Sequence, residues 1–115
     1  HVYDHNVAVD LIVRNGRKGE IYNIGNNCEK TNLDVVKFIL KVLGKSENLI
    51  VFVKDRPGND LRYAIDSSKL KNELNWECKY NFEDGMMETI NWYVANQSWI
   101  NNIKTGKYIN LYKQN

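Results

Sequence analysis

The 115-residue chain has one proline, two cysteines, two histidines and no long apolar run, and each scarcity removes a class of protein. No apolar stretch approaches the roughly 20 residues needed to cross a bilayer, and nothing at the N-terminus resembles a signal peptide. The expectation is a cytoplasmic chain with no membrane partner. Cys28 and Cys78 lie far apart with no CxxC spacing, and only His1 and His5 could join them. Zinc needs about four clustered ligands, so no metal is expected, and reduced thiols are expected over a disulfide. Sixteen Lys and Arg against fourteen Asp and Glu leave a charge of +2 that is spread along the chain. A nucleic-acid binder would gather its basic residues on one face, so no nucleic-acid partner is expected. No GxGxxG follows any candidate strand, which removes the phosphate-cradling turn of a dinucleotide fold.

What remains is an ordinary globular composition, 43% hydrophobic and 26% charged in 13.5 kDa. That is one domain's worth of chain, long enough to bury a core and too short for a two-domain cofactor-dependent enzyme. The opening His-Val-Tyr-Asp-His has no initiator Met and enters an amphipathic pattern at once, which reads as a piece of a larger protein.

Val7, Ala8, Leu11 and Ile12 recur at helical spacing between Asp4 and Asn15, with Asn15-Gly16 as the stop. Glu20 to Ile24 is short, β-branched and aromatic, and reads as a strand. A second helix is expected from Leu33 to Leu43, capped by Asn32 or Thr31, with Asp34 in its first turn and Gly44 closing it. Leu49 to Val53 and Arg62 to Ile65 read as further extended segments. Asp66-Ser67 caps a short helix to Leu74, and Asn81 caps a last one carrying Met86, Ile90, Tyr93 and Val94. Gly85 inside that helix costs ~1 kcal/mol relative to Ala, which points to close packing there. Beyond Trp99 the Asn- and Lys-rich chain, residues 105–115 above all, is expected to be poorly ordered or draped over a surface. The pattern predicts a small α+β domain, 1–115, with about four helices and two or three short strands.

The stretch richest in chemistry is Val53 to Asp66, which holds two arginines, the only proline, a glycine and an amide. Arg56 offers a planar fork of donors that can grip phosphate oxygens bidentately. Pro57-Gly58 fixes and then frees the backbone for close approach to a ligand. The bland alternative is a surface turn in which Arg56 pairs with Asp55 or Asp60.

Asp55-Arg-Pro-Gly-Asn-Asp-Leu-Arg-Tyr-Ala-Ile-Asp66 resembles the signature loop of the nucleotide-sugar 4,6-dehydratases, most closely those acting on dTDP-glucose, where the usual form is Asp-Arg-Pro-Gly-His-Asp. Three more segments follow the family in order and spacing. Val2-Tyr3-Asp4-His5 resembles its Tyr-Val-Glu-Asp-His, Gly19 to Gly25 resembles its Gly-Glu-x-Tyr-Asn-Ile-Gly, and Glu88 to Tyr93 resembles its late Thr-x-x-Trp-Tyr helix.

The resemblance implies an α/β enzyme of the extended short-chain dehydrogenase/reductase class. Such an enzyme has an N-terminal Rossmann domain that binds NAD and a smaller C-terminal domain that binds the nucleotide sugar. Its reaction oxidises C4 of the hexose, eliminates water across C5 and C6, and returns the hydride to C6. The glycine-rich turn, the Tyr-x-x-x-Lys pair and the acid/base pair belong to the N-terminal part, so no catalytic residue and no NAD-binding residue is expected here. The implied partners are dTDP-glucose or a related nucleotide sugar and the N-terminal domain, with the full-length enzyme a homodimer. Carried over position by position, the nucleotide-binding loop falls on Asp55, Arg56, Pro57, Gly58 and Asn59, with Arg56 on the pyrophosphate. Asn59 stands where the family has histidine, which loosens the base preference. The family's substrate-binding asparagine falls on Asn32, where helix capping is an equal expectation. Asp60 and Arg62 are expected to brace the loop, and Tyr3, Tyr22 and Tyr63 are candidates for stacking on a base. His5 is expected to start a helix, and the three tryptophans to serve the core or a domain interface. UDP-sugar epimerases or decarboxylases, GDP-mannose dehydratases and a free-standing interaction module stay open as alternatives.

Overall fold

The computed structural model describes residues 1–106 and places five helices along them: α1 (Val2–Asn15), α2 (Asn32–Val42), α3 (Ser68–Leu74), α4 (Phe82–Ala95) and α5 (Gln97–Lys104), with a single 3-10 turn at Glu47–Leu49. The helix starts follow their caps. Thr31 closes a full capping box on α2: its hydroxyl accepts from the Asp34 amide at 3.1 Å, and the Asp34 carboxylate accepts from the Thr31 amide at 3.1 Å. The Asn81 side chain accepts from the Asp84 amide at 2.8 Å and starts α4 as expected. At α3 the work is divided. The Asp66 carboxylate accepts from the Ser68 amide, while the Ser67 hydroxyl turns away and donates to the Gly25 carbonyl at 2.6 Å. Gly16 ends α1 with an ordinary φ of −68°, but a Cβ there would stand 2.5 Å from the Ile12 carbonyl oxygen, so only glycine fits.

The core is small. Ala8 of α1, Leu70 of α3 and Trp76 are buried together, with Leu11, Ile12, Tyr22 and Ile24 packed around them. Buried Asp4 ties α1 to the turn before α4: its carboxylate accepts from the amides of Lys79 and Tyr80 at 3.0 and 3.1 Å. Gly85 is buried as well, with His1 and Tyr80 close enough that a Cβ would sit 3.2 to 3.4 Å from them, which is the close packing its place in a helix called for. Phe38 of α2 meets Phe82 of α4 edge to face at 5.5 Å. Tyr22 and Arg17 both bond Glu73, pinning the segment after α1 onto α3.

Two features differ from the sequence pattern. The Asn-rich stretch after Ala95 forms α5, because Trp99, Ile100 and Ile103 make a helical stripe and Trp99 packs against Trp92 at 5.1 Å. Residues 105–106 form a turn, and the rest of the expected poorly ordered tail lies outside the described residues. The three segments with strand-like sequences, near 20–24, 49–53 and 62–65, carry no ladder among the described residues. A strand exists only through a hydrogen-bonded partner, and here none of these segments has one.

The consequence is exposed apolar surface. Val51, Phe52 and Val53 are about four-fifths exposed, and Leu61 is 99% exposed. The accessible surface is 9816 Å², against about 6,500 Å² for a compact 13.5 kDa monomer. The radius of gyration is 18.3 Å, where about 13 Å is usual at this length.

Candidate functional site

Two irregular segments face each other across an open cavity of about 750 Å³. One wall is the run from Cys28 into the first turn of α2; the other is the loop from Arg56 to Tyr63. The volume falls in the range usual for small-molecule sites.

Within the loop, Asp55, Arg56 and Asn59 form a local ring of hydrogen bonds. The Asp55 carboxylate accepts from the Arg56 amide at 2.8 Å and from Asn59 Nδ2 at 3.1 Å, and Arg56 Nε donates to Asn59 Oδ1 at 3.1 Å. Pro57 and Gly58 make the turn inside the ring, and Gly58 has φ +74°, a left-handed conformation that favours glycine. This arrangement orients the guanidinium through Nε alone. Among the described residues, neither terminal nitrogen of Arg56 has a partner, so its two-pronged edge is open to the cavity it lines. The alternative of a turn in which Arg56 is consumed by Asp55 or Asp60 is not what the side chains do.

Of the six residues expected to bind, Asn32, Arg56 and Asn59 line the cavity together, whereas Asp55, Pro57 and Gly58 shape the loop from behind. The structure also gives the capping role at α2 to Thr31 rather than Asn32. Thr31 is the N-cap, so Asn32 is the first helical residue and its side chain makes no hydrogen bond among the described residues. The Asp34 carboxylate already occupies the positive end of that helix, and its bonds to Thr31 hold it below the usual carboxylate range. Attraction for an anion therefore rests on Arg56 rather than on the helix terminus.

Asp60 and Arg62 do lie beside the site. Hydrogen bonding to Asp60 pushes the Tyr63 phenol up, and Tyr63 lines the cavity with its ring exposed. Tyr22 is committed to Glu73, and Tyr3 packs edge to face with Tyr80, so of the three tyrosines only Tyr63 is placed to meet a ligand. Arg62 is held by Glu29 from the opposite wall, through Nε at 2.5 Å and Nη2 at 2.7 Å. Hydrogen bonding to Arg62 lowers the Glu29 carboxyl. Glu29 escapes a reading of the sequence because an acid in an Asn-rich turn has no periodicity to mark it. Asp4 left a signal: it lies four residues before Ala8 on the apolar face of α1, an unusual place for a carboxylate.

His5 is exposed in the first turn of α1. Cys28 and Cys78 are free thiols, and no cluster of three or more metal-ligating side chains occurs among the described residues. No described helix is long and apolar enough to cross a membrane.

Residues 1–89 match the family model described as GDP-mannose 4,6 dehydratase. A dTDP-glucose 4,6-dehydratase of Xanthomonas campestris pv. campestris is 46% identical over 93% of this chain and 33% of its own length. The dTDP-glucose 4,6-dehydratase of Bacillus anthracis strain Ames, solved in complex with NAD, superposes with a TM-score of 0.81 at 52% identity, over 86% of this chain and 31% of that one. The DesIV dTDP-glucose 4,6-dehydratase of Streptomyces venezuelae, solved with NAD and dTDP, gives 0.82 at 38% identity over the same shares. The chain thus spans about a third of the length of the relatives it matches. With a family model covering most of its residues and the same fold in solved dehydratases, the chain belongs to the GDP-mannose 4,6 dehydratase family of nucleotide-sugar enzymes.

Proposed function

We propose that this chain is the C-terminal, substrate-binding part of a dTDP-glucose 4,6-dehydratase, which converts dTDP-glucose to dTDP-4-keto-6-deoxyglucose in the cytoplasm. The observation that carries the reading is the open guanidinium edge of Arg56 in a cavity of nucleotide size. Arginine binds a pyrophosphate in the same bidentate manner as a carboxylate, and its neighbours here supply directional contacts without cancelling its charge. Asn32 and Asn59 each offer an amide that donates and accepts, and Tyr63 offers a ring face.

The chain contains neither a GxGxxG turn nor a Tyr-x-x-x-Lys pair, and among its described residues no strand leads into a helix through a glycine turn. NAD and the catalytic groups belong, in this reading, to an N-terminal domain. The unpaired strand-like segments and the exposed Val51-Phe52-Val53 run support the presence of such a neighbour, since surface of this kind is normally covered. Alone, the chain is catalytically silent.

Calorimetric titration with dTDP, UDP and GDP at low salt tests the assignment. Selective binding of dTDP is expected, with Arg56→Ala removing most of it. A preference for UDP or GDP moves the chain to a sister enzyme of the family, a possibility that Asn59 in place of histidine sharpens. Absence of binding, both to the chain and to a chimera in which it replaces the matched third of the Bacillus relative, rejects the reading.

A further inference from the structure

We propose that Glu29 and Arg62 form a clasp that sets the distance between the two walls of the site, so that both act as positioning residues without touching the ligand; this rests on the cavity being the nucleotide-sugar site. Among the described residues, the whole stretch from Val51 to Ile65 makes hydrogen bonds to a distant part of the chain only through Arg62, and only to Glu29. Every other bond in the stretch is local. The loop that carries Arg56 is thus attached at its two ends and at this one point.

The form of the contact suits the task. Nε and Nη2 meet Oε2 and Oε1 in parallel, and a two-pronged pair fixes the relative orientation of two planar groups as well as their separation. A single Lys ammonium would fix only the separation. Glu29 sits three residues before Asn32 on one wall, and Arg62 sits six residues after Arg56 on the other, so closing the pair brings Asn32 and Arg56 to a common cavity. The pair also settles which arginine is left for a diphosphate. Arg62 has a carboxylate in its fork, whereas Arg56 has none.

Both side chains are substantially exposed, at 70% for Arg62 and 49% for Glu29. Exposed pairs contribute little to global stability. The consequence of this one lies in the population of the binding-competent loop, and apparent affinity falls in proportion to that population.

The test uses the neutral variants Glu29→Gln and Arg62→Gln and the exchanged pair Glu29→Arg with Arg62→Glu. Without ligand, backbone ¹⁵N heteronuclear NOEs across residues 54–63 are expected to drop in both single variants and to recover in the exchanged pair. With dTDP, both single variants are expected to bind about tenfold more weakly and the exchanged pair within about threefold of the native chain, while the melting temperature stays within about 2 °C throughout. Glu29→Gln is the decisive arm. If Arg62 were itself a phosphate ligand, freeing it would tighten binding, and tighter binding overturns the clasp. NOEs that do not move in either single variant overturn it too. If NOEs fall and recover as expected while the native chain binds no nucleotide, the clasp stands and the ligand assignment fails.

Discussion

Apolar residues, several of them β-branched or aromatic, occur both around Ala8, Leu70 and Trp76 and in the stretch from Val51 to Ile65, where charged residues interrupt them, yet only the first region buries them. In the helical part Ala8, Leu70 and Trp76 pack on one another with Leu11, Ile12, Tyr22 and Ile24 around them, and several polar groups between the elements are matched: Asp4 to two amides, Ser67 to Gly25, Glu73 to Tyr22 and Arg17. In the loop region, Phe52 and Leu61 face outward, and one ion pair replaces this network. Apolar composition therefore states that a segment needs a cover without stating which part of the chain supplies it. The first region is stabilised by its own packing; the second leaves its apolar side chains exposed, as the proposed neighbouring domain would require.

This contrast predicts that stability and binding separate by region. The largest effect is expected at Leu70, which is fully buried. Leu70→Ala should cost about 2–5 kcal/mol by urea unfolding, enough to unfold much of a marginal domain. A loss of that size on trimming Phe52 instead would break the comparison.

A smaller and sharper effect is expected at the two adjacent residues where α2 begins, its N-cap Thr31 and its first residue Asn32. Thr31→Ala removes the capping box and should cost ~1 kcal/mol in stability. Asn32→Ala should leave stability within about 0.5 kcal/mol and weaken nucleotide binding several-fold. Thermal melts and calorimetry on the two variants read the crossover, and equal effects on both quantities would show that capping and binding are not divided between the two residues.

The smallest effect is acidic. Glu20, Glu29, Glu73 and Glu83 are all held below the usual carboxylate range, chiefly by hydrogen bonds to Lys69, Arg62, Tyr22 and Lys30 respectively. A carboxyl lowered in the folded state favours folding above its unfolded pKa of about 4.3 and loses that contribution as pH falls through the folded value. Melting temperature should accordingly be flat from pH 7 to about 5 and decline modestly below about 4, because all four groups are exposed. NMR at low pH sharpens the contrast: amides near Arg62 should loosen while those of α1 and α3 keep their order, since α1 and α3 also share a packed core.

The helices and their starts were legible in the sequence because their signals are local: Thr31 to Asp34, Asn81 to Asp84, and the Ala8, Leu11, Ile12 stripe all act within a turn or two. The loop proposed to bind stands out by resemblance, and the proposal for its chemistry rests on the fork of Arg56. Several features were not. The choice between Thr31 and Asn32 as N-cap depends on a one-residue shift that either side chain could serve. Glu29 and Arg62 are 33 residues apart, and no spacing rule joins them. Segments with strand composition gave no sign of having no strand partner among the described residues, since pairing is a property of two segments. Asparagine's low helix propensity hid α5, whose tryptophan contact to α4 outweighs it.

The Asp4 carboxylate spans 75 and 76 positions of chain to reach the Lys79 and Tyr80 amides. In terms of chain entropy rather than of space, that is a long ring to close. Helices form within a microsecond or so, while a ring this long closes at a large entropic cost that only the surrounding packing offsets. The contact couples α1 to the α3 to α4 turn, and hydrogen exchange is expected to show amides of the two segments opening together rather than α1 fraying first.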